Sequence, residues 1–153
     1  MTEPLPPIDA LLPQTGPMRL LESVLAHDAE STRCLIDPVR SVLFRDGSGR
    51  VPAWVGIEYM AQCIAAHGGL RARARGEAPH PRLLLGSRRL VFRCDGFERA
   101  PLLQVTARHA AGRSRMLAFE CSVLHPDTGR PLVEGRLHVL AARDLAGLEG
   151  SAA

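Results

Sequence analysis

Glu58 is the one carboxylate in Pro52-Ala53-Trp54-Val55-Gly56-Ile57-Glu58-Tyr59-Met60-Ala61-Gln62-Cys63-Ile64-Ala65-Ala66, a run that is otherwise almost wholly apolar. A charge in such surroundings is costly unless it is paired, protonated or used. Glu58 is therefore the first candidate for proton-transfer chemistry. The six histidines offer it no obvious partner. His67 is nine residues further on, which places it on the opposite face of a helix. His80 falls in a proline-bounded loop and His27 in a turn, while His109, His125 and His138 lie on or beside late strands. No pair has metal-ligand spacing, so no metal site is expected. Asp46, just before Gly47, reads as a turn residue.

The run that carries Glu58 predicts a helix. Pro52 suits a first helical turn, where its missing N–H costs nothing. Apolar residues then occupy nearly every position to Ala66, so this helix is buried on most sides. Gly68-Gly69 should weaken its end. Arg71, Arg73 and Arg75 form a basic, solvated tail, and Pro79 and Pro81 end it. Upstream, Ile8 to Leu12 predicts a short helical turn stopped by Pro13. Met18 to His27 and Ser31 to Asp37 predict an antiparallel strand pair joined by a turn at His27-Asp28-Ala29-Glu30. Asp46-Gly47-Ser48-Gly49 is a loop signal. Downstream, Leu83 to Phe92 predicts a strand with a glycine bulge or kink. Leu102 to His109, Arg115 to Leu124 and Leu132 to Leu140 predict three more strands. Two strands, one long helix and about four strands fit an α+β fold in which a curved antiparallel sheet wraps around one central helix.

Composition sets the outer bounds. The 153 residues suit a single domain, 1–153, with residues 1–7 and 147–153 expected to be flexible. All nineteen basic residues are arginine and the formal charge is only +3, weak support for a nucleic-acid partner. Aromatics at 4% are too few for stacking platforms, so none is expected. Cys34, Cys63, Cys94 and Cys121 are widely spaced, without C-x-x-C, and read as small core residues. No signal peptide and no membrane span is expected, which suggests a cytoplasmic protein with free thiols.

Order and residues together resemble the hotdog fold, and within it the bacterial β-hydroxyacyl-ACP dehydratases. Their signature sets a proline six residues before a catalytic acid that is followed by Ala-Met-Ala-Gln; here Pro52 precedes Glu58-Tyr59-Met60-Ala61-Gln62. Leu12-Pro13-Gln14-Thr15-Gly16-Pro17-Met18-Arg19-Leu20-Leu21-Glu22 resembles that family's Leu-Pro-His opening, and Leu85 to Phe92 resembles the strand leaving the helix. Val51 to Gln62 is more similar still to the hotdog dehydratase branch of aryl-polyene and related lipid gene clusters, whose hallmark is Leu-Pro-Ala/Gly-Trp-x-x-Ile-Glu-x-Met-Ala-Gln.

The resemblance implies dehydration of a 3-hydroxyacyl group carried by acyl carrier protein, in fatty-acid or polyene synthesis. That reaction needs a base, an acid and donors for the developing enolate oxygen. Glu58 would be the general acid or base. Gln62, at i+4 and so near the same helical face, would orient it. Helix-start amides near Trp54, Val55 and Gly56 would polarise the carbonyl. Trp54, Met60 and Phe44 are candidates to line an acyl tunnel, and Gln14 lies in the opening that resembles the family's. The Arg71, Arg73, Arg75 cluster could attract an acidic carrier protein. Dehydration is redox-neutral, so no cofactor is implied. Hotdog domains pair through an edge strand, which implies a homodimer or higher oligomer, or a hetero-oligomer.

Two departures leave alternatives open. The bacterial dehydratases carry a histidine eight residues before the proline, where Phe44 stands; the polyene-cluster branch carries one in its opening, where Gln14 stands. Glutamine cannot exchange a proton at neutral pH. A non-catalytic, acyl-binding hotdog partner subunit and an acyl-thioester hydrolase therefore remain as rivals.

Overall fold

The computed structural model describes residues 3–79, 82–99, 101–113 and 115–141. His80 and the C-terminal stretch 147–153, expected to be a loop and a frayed end, lie outside the described residues, as do residues 1–2. The strands are β1 (Leu21–His27), β2 (Ser31–Ile36), β3 (Val51–Pro52), β4 (Arg82–Phe92), β5 (Gly96–Phe97), β6 (Leu103–Ala111), β7 (Met116–Leu124) and β8 (Pro131–Ala141). One helix, α1 (Gly56–Ala74), separates β3 from β4. Six strands form one antiparallel sheet in the order β1-β2-β6-β7-β8-β4, and β3 pairs with β5 in a two-stranded ribbon. This is the one-helix, α+β arrangement that the order of elements predicted.

Alternation along the strands decides which face meets the helix. Leu103, Val105 and Ala107 of β6 are buried, as are Leu137 and Val139 of β8. They join Tyr59, Met60, Cys63, Ile64 and Ala66 of α1 in one core. The helix packs chiefly on β1, β2, β6 and β7. Cys34, Cys63 and Cys121 are buried in that core, and all four thiols are free. No helix among the described residues is long and apolar enough to cross a membrane.

The helix differs from expectation at its start and at its paired glycines. Pro52 pairs in β3 with φ −58° and ψ 146°, and a 3-10 turn at Ala53–Val55 comes between it and α1. The backbone is extended there because β3 needs it, so the proline initiates the turn rather than the helix. Gly68-Gly69 does not weaken the helix, which runs through both residues to Ala74. Their lack of a side chain serves packing instead. A Cβ at Gly69 would lie 2.9 Å from the Leu11 carbonyl oxygen, and one at Gly68 would lie 3.0 Å from the Arg82 guanidinium. The opening segment thus lies directly against the helix. It begins with a 3-10 turn at Ile8–Ala10, and Ile8, Leu11 and Leu12 enter the core.

Candidate active site

Gln62 is fully buried, at 0% exposure, and its amide makes three bonds. Oε1 accepts the Leu20 N–H at 2.9 Å. Nε2 donates to the Met18 carbonyl at 2.8 Å and to Glu58 Oε1 at 3.0 Å. The side chain therefore bridges the segment entering β1 and the carboxylate one turn back along the helix. Only an amide can do this, because the position needs one acceptor and two donors together. A Glu at 62 would set a second carboxylate against Glu58 and leave Met18 without its donor.

Glu58 is half-buried. Its Oε2 has no partner among the described residues, and no arginine pairs with the group. It is held by one oxygen and open at the other, a suitable posture for a carboxylate that exchanges a proton with a ligand.

The region of the helix start is built from loops as much as from the helix. Trp54 is 56% exposed, and its ring meets that of half-buried Phe44 edge-on, with centroids 5.9 Å apart at 90°. Phe44 ends a 3-10 turn, Val42–Phe44, whose position is pinned by a buried bond 2.7 Å long between Ser41 Oγ and the Tyr59 hydroxyl. Burial pushes the Tyr59 phenol up to about 12, so it stays neutral. Sequence reasoning missed this pair. A tyrosine in an all-apolar helix was its signal, since a buried phenol must find a partner. Val42, Leu43 and Trp54 leave an exposed apolar surface near the helix start.

The helix-start amides are fewer than expected. The Ala53 N–H bonds to the Asp95 carbonyl, and the Gly56 N–H to the Ala53 carbonyl. Gly56 has a packing role instead: a Cβ there would meet Val133 Cγ2 at 3.0 Å and the Phe97 ring at 3.4 Å. The Val55 side chain lies in the core, as does Met60, so neither side chain lines an open tunnel. The Trp54 N–H is the remaining candidate, because the first N–H groups of a turn have no acceptor within it.

Gln14 is half-buried, and its side-chain oxygen is buried without a hydrogen-bond partner. Such an orphan acceptor is costly unless something supplies a donor. Asp46 is a turn residue, as its spacing suggested. Its carboxylate accepts from the Ser48 amide and hydroxyl and from the Arg50 amide, bonds that hold its pKa below the usual carboxylate range.

Histidine gathers at the other end of α1. His67 is buried, and its Nδ1 lies 2.8 Å from Thr32 Oγ1, which lies 2.8 Å from His27 Nδ1. One hydroxyl proton cannot serve two acceptors, so at least one of the two imidazoles donates its Nδ1–H to Thr32. Burial, with His27, Arg71, Arg82 and His109 nearby, lowers the His67 pKa to about 4. Arg71 also donates to the Ala29 carbonyl, so it is part of the fold and not simply a solvated tail. No group of His, Cys, Asp or Glu among the described residues is arranged to hold a metal ion.

A long helix cradled by an antiparallel sheet defines a hotdog protein, and here the helix carries in its first turn a carboxylate bonded by a buried glutamine. Solved structures agree. A chain of the dehydratase heterocomplex ApeI:P from Xenorhabdus doucetiae superposes with a TM-score of 0.83 at 29% identity, over 90% of this chain and 92% of that one. AziG from S. sahachiroi gives 0.60 at 10% identity, over 78% and 89%. A hypothetical thioesterase with coenzyme A from Streptococcus pneumoniae TIGR4 gives 0.58 at 11% identity, over 78% and 84%. The last two share the fold alone. No curated protein matches in sequence. The family of ApeP dehydratase matches residues 6–149, and the chain belongs to this ApeP-like family.

Proposed function

We propose that this protein removes water from 3-hydroxyacyl thioesters presented by acyl carrier protein, with Glu58 as the group that moves the proton. The observation that carries this reading is the bond from Gln62 to Glu58, which orients a half-buried carboxylate and leaves its second oxygen open. Glu58 takes the proton α to the thioester carbonyl. A C=C bond forms as the β C–O bond breaks, and the same proton passes to the departing hydroxyl, so the carboxylate ends as it began. One carboxylate can serve both steps, which suits a chain with Phe44 and Gln14 at the histidine positions. The Trp54 N–H is our candidate donor to the developing enolate oxygen, and the Phe44–Trp54 pair our candidate contact for the acyl chain. Gln14 Oε1 would accept from the substrate hydroxyl. Free buried thiols suit a reducing, cytoplasmic setting.

We further infer that β4 pairs with the edge of another hotdog chain. The structural relative belongs to a heterocomplex, and β4 ends the sheet with exposed Leu83, Leu84, Leu85, Val91 and Phe92. Exposed apolar edges of this length are normally covered. A second reading, a non-catalytic subunit that supports an active partner, draws on the two empty histidine positions.

The test is incubation of the purified protein with 3-hydroxyacyl-ACP, alone and with a hotdog partner, beside Glu58→Gln. Enoyl product that disappears in the variant supports the proposal. Product that needs the partner and survives Glu58→Gln establishes the supporting-subunit reading. Release of free thiol without enoyl product would show hydrolysis instead.

A further inference from the structure

The outer face of the sheet, away from α1, carries a row of charges that runs across four strands. Arg108 of β6 lies opposite Glu120 of β7, Glu120 opposite Arg136 of β8, and Arg136 opposite Arg88 of β4. Directly opposed residues of antiparallel strands share a face, and opposite charges there stabilise the pair while like charges oppose it. The row therefore alternates in sign until its last step, where Arg136 and Arg88 stand together. Glu120 accepts from Arg136 Nη1 at 2.9 Å and lies two strands away from Arg88, with β8 between them. The next carboxylate along β8, Glu134, accepts both Nε and Nη2 of Arg93. Arg88 and its neighbour Arg89 are exposed and make no ion pair among the described residues.

Arg89 also has φ 60°, the only non-glycine positive φ among the described residues. It lies within the bulge between Arg88 and Val91. Leu90, next to it, packs where Gly135 has no side chain: a Cβ at Gly135 would sit 2.7 Å from Leu90 Cδ2. The arginine pair is thus fixed in mid-strand by packing beneath it.

We propose that the β4 edge selects a chemically different subunit: an antiparallel edge strand with carboxylates opposite Arg88 and Arg89, in preference to a second copy of this chain. The argument is one of composition and register. Residues 82–92 read Arg-Leu-Leu-Leu-Gly-Ser-Arg-Arg-Leu-Val-Phe, with three arginines and no acid. Pairing between two copies across a twofold would oppose β4 to itself. No register of that pairing gives Arg88 or Arg89 a carboxylate. Registers centred near the middle of the strand bring the four arginines of two copies close together. A partner with Asp or Glu there would continue the row as Arg108, Glu120, Arg136, Arg88, acid. Exposed apolar residues on the same strand supply the burial, and the charges supply the choice of partner.

This proposal rests on the edge-pairing reading above and is tested separately from activity. The probe is this chain with its own edge made acidic, Arg88→Glu with Arg89→Glu. Sedimentation equilibrium is run on the wild type, the double variant and an equal mixture, at low and high salt. The expected result is a mixed dimer roughly tenfold tighter than the wild-type self-association, as several cross-strand pairs of ordinary strength would give. That advantage should shrink in high salt. Self-association of the wild type as tight as the mixture would overturn the proposal, and so would a mixture with no gain. Circular dichroism checks the fold of the variant, and Arg88→Glu alone replaces it if the pair does not fold. Enoyl formation is measured on the same samples, so a failure of the pairing preference is distinguished from a failure of the dehydratase reading.

Discussion

The two ends of α1 solve one problem in opposite ways. Each buries polar side chains against the first strands of the sheet. At the N-terminal end, a glutamine engages Leu20, Met18 and Glu58, and its neighbour Glu58 keeps an oxygen open. At the C-terminal end, the Thr32 hydroxyl joins the Nδ1 atoms of His67 and His27. Histidine is the residue usually sought for proton transfer at neutral pH. Here, burial among other cationic groups keeps the His67 imidazole neutral, while the carboxylate lies beside an amide that cannot titrate. Residue type alone would point to the histidine end, not to the end where we propose the chemistry. What sets Glu58 apart is that Gln62 bonds one of its oxygens and leaves the other without a partner among the described residues.

The sharpest way to break this comparison is Glu58→Gln. It should lower the rate of enoyl formation by about 10²–10⁴-fold with little change in melting temperature; full activity would end the assignment. Gln62→Leu comes next. It strands the Leu20 N–H, a cost of about 1–3 kcal/mol, and frees Glu58 to rotate. Both kcat and the denaturation midpoint should fall, and a loss of stability alone would reduce Gln62 to a structural role.

The histidine end should answer to pH. Its folded pKa of about 4 lies below the ordinary 6.5, so the unfolded chain takes up the proton first. Its contribution is therefore complete above about pH 6.5 and is lost as pH falls from there toward 4. In urea titrations His67→Phe should flatten that decline by on the order of 1 kcal/mol. An unchanged slope would exclude His67 as the cause. The smallest effect on stability is expected from Trp54→Ala, under ~0.5 kcal/mol because the ring is largely exposed. If Trp54 contacts the acyl chain, KM should rise more for long acyl groups than for short ones; equal KM values would remove it from the site.

Much of the fold could be read from periodicity. The alternation of Leu103, Val105 and Ala107, and the all-apolar stretch after Trp54, gave the sheet and the helix because burial imposes its period on the sequence. Glu58 could be read for the converse reason, as a charge where burial should forbid one. Other features depend on distant neighbours. Nothing near Gly68 or Gly69 shows that Arg82 and the Leu11 carbonyl lie against them. Nothing near Pro52 shows that it pairs with Gly96. The Ser41–Tyr59 bond joins residues 18 apart, and Gln62 reaches partners 42 and 44 residues away. Such contacts follow from topology, and local patterns do not record them.

Those long spans bear on how the site comes into being. The helix can form from its own residues, but the Gln62 amide finds its acceptor and donor only after a loop of more than forty residues has closed. Closing such a loop is an entropic cost met late, when non-local contacts assemble. Glu58 is thus unoriented in any partly folded chain that has only its helix, and a nascent or refolding molecule would carry secondary structure before it carries an oriented carboxylate. Turnover by this protein would then report the completion of its folding.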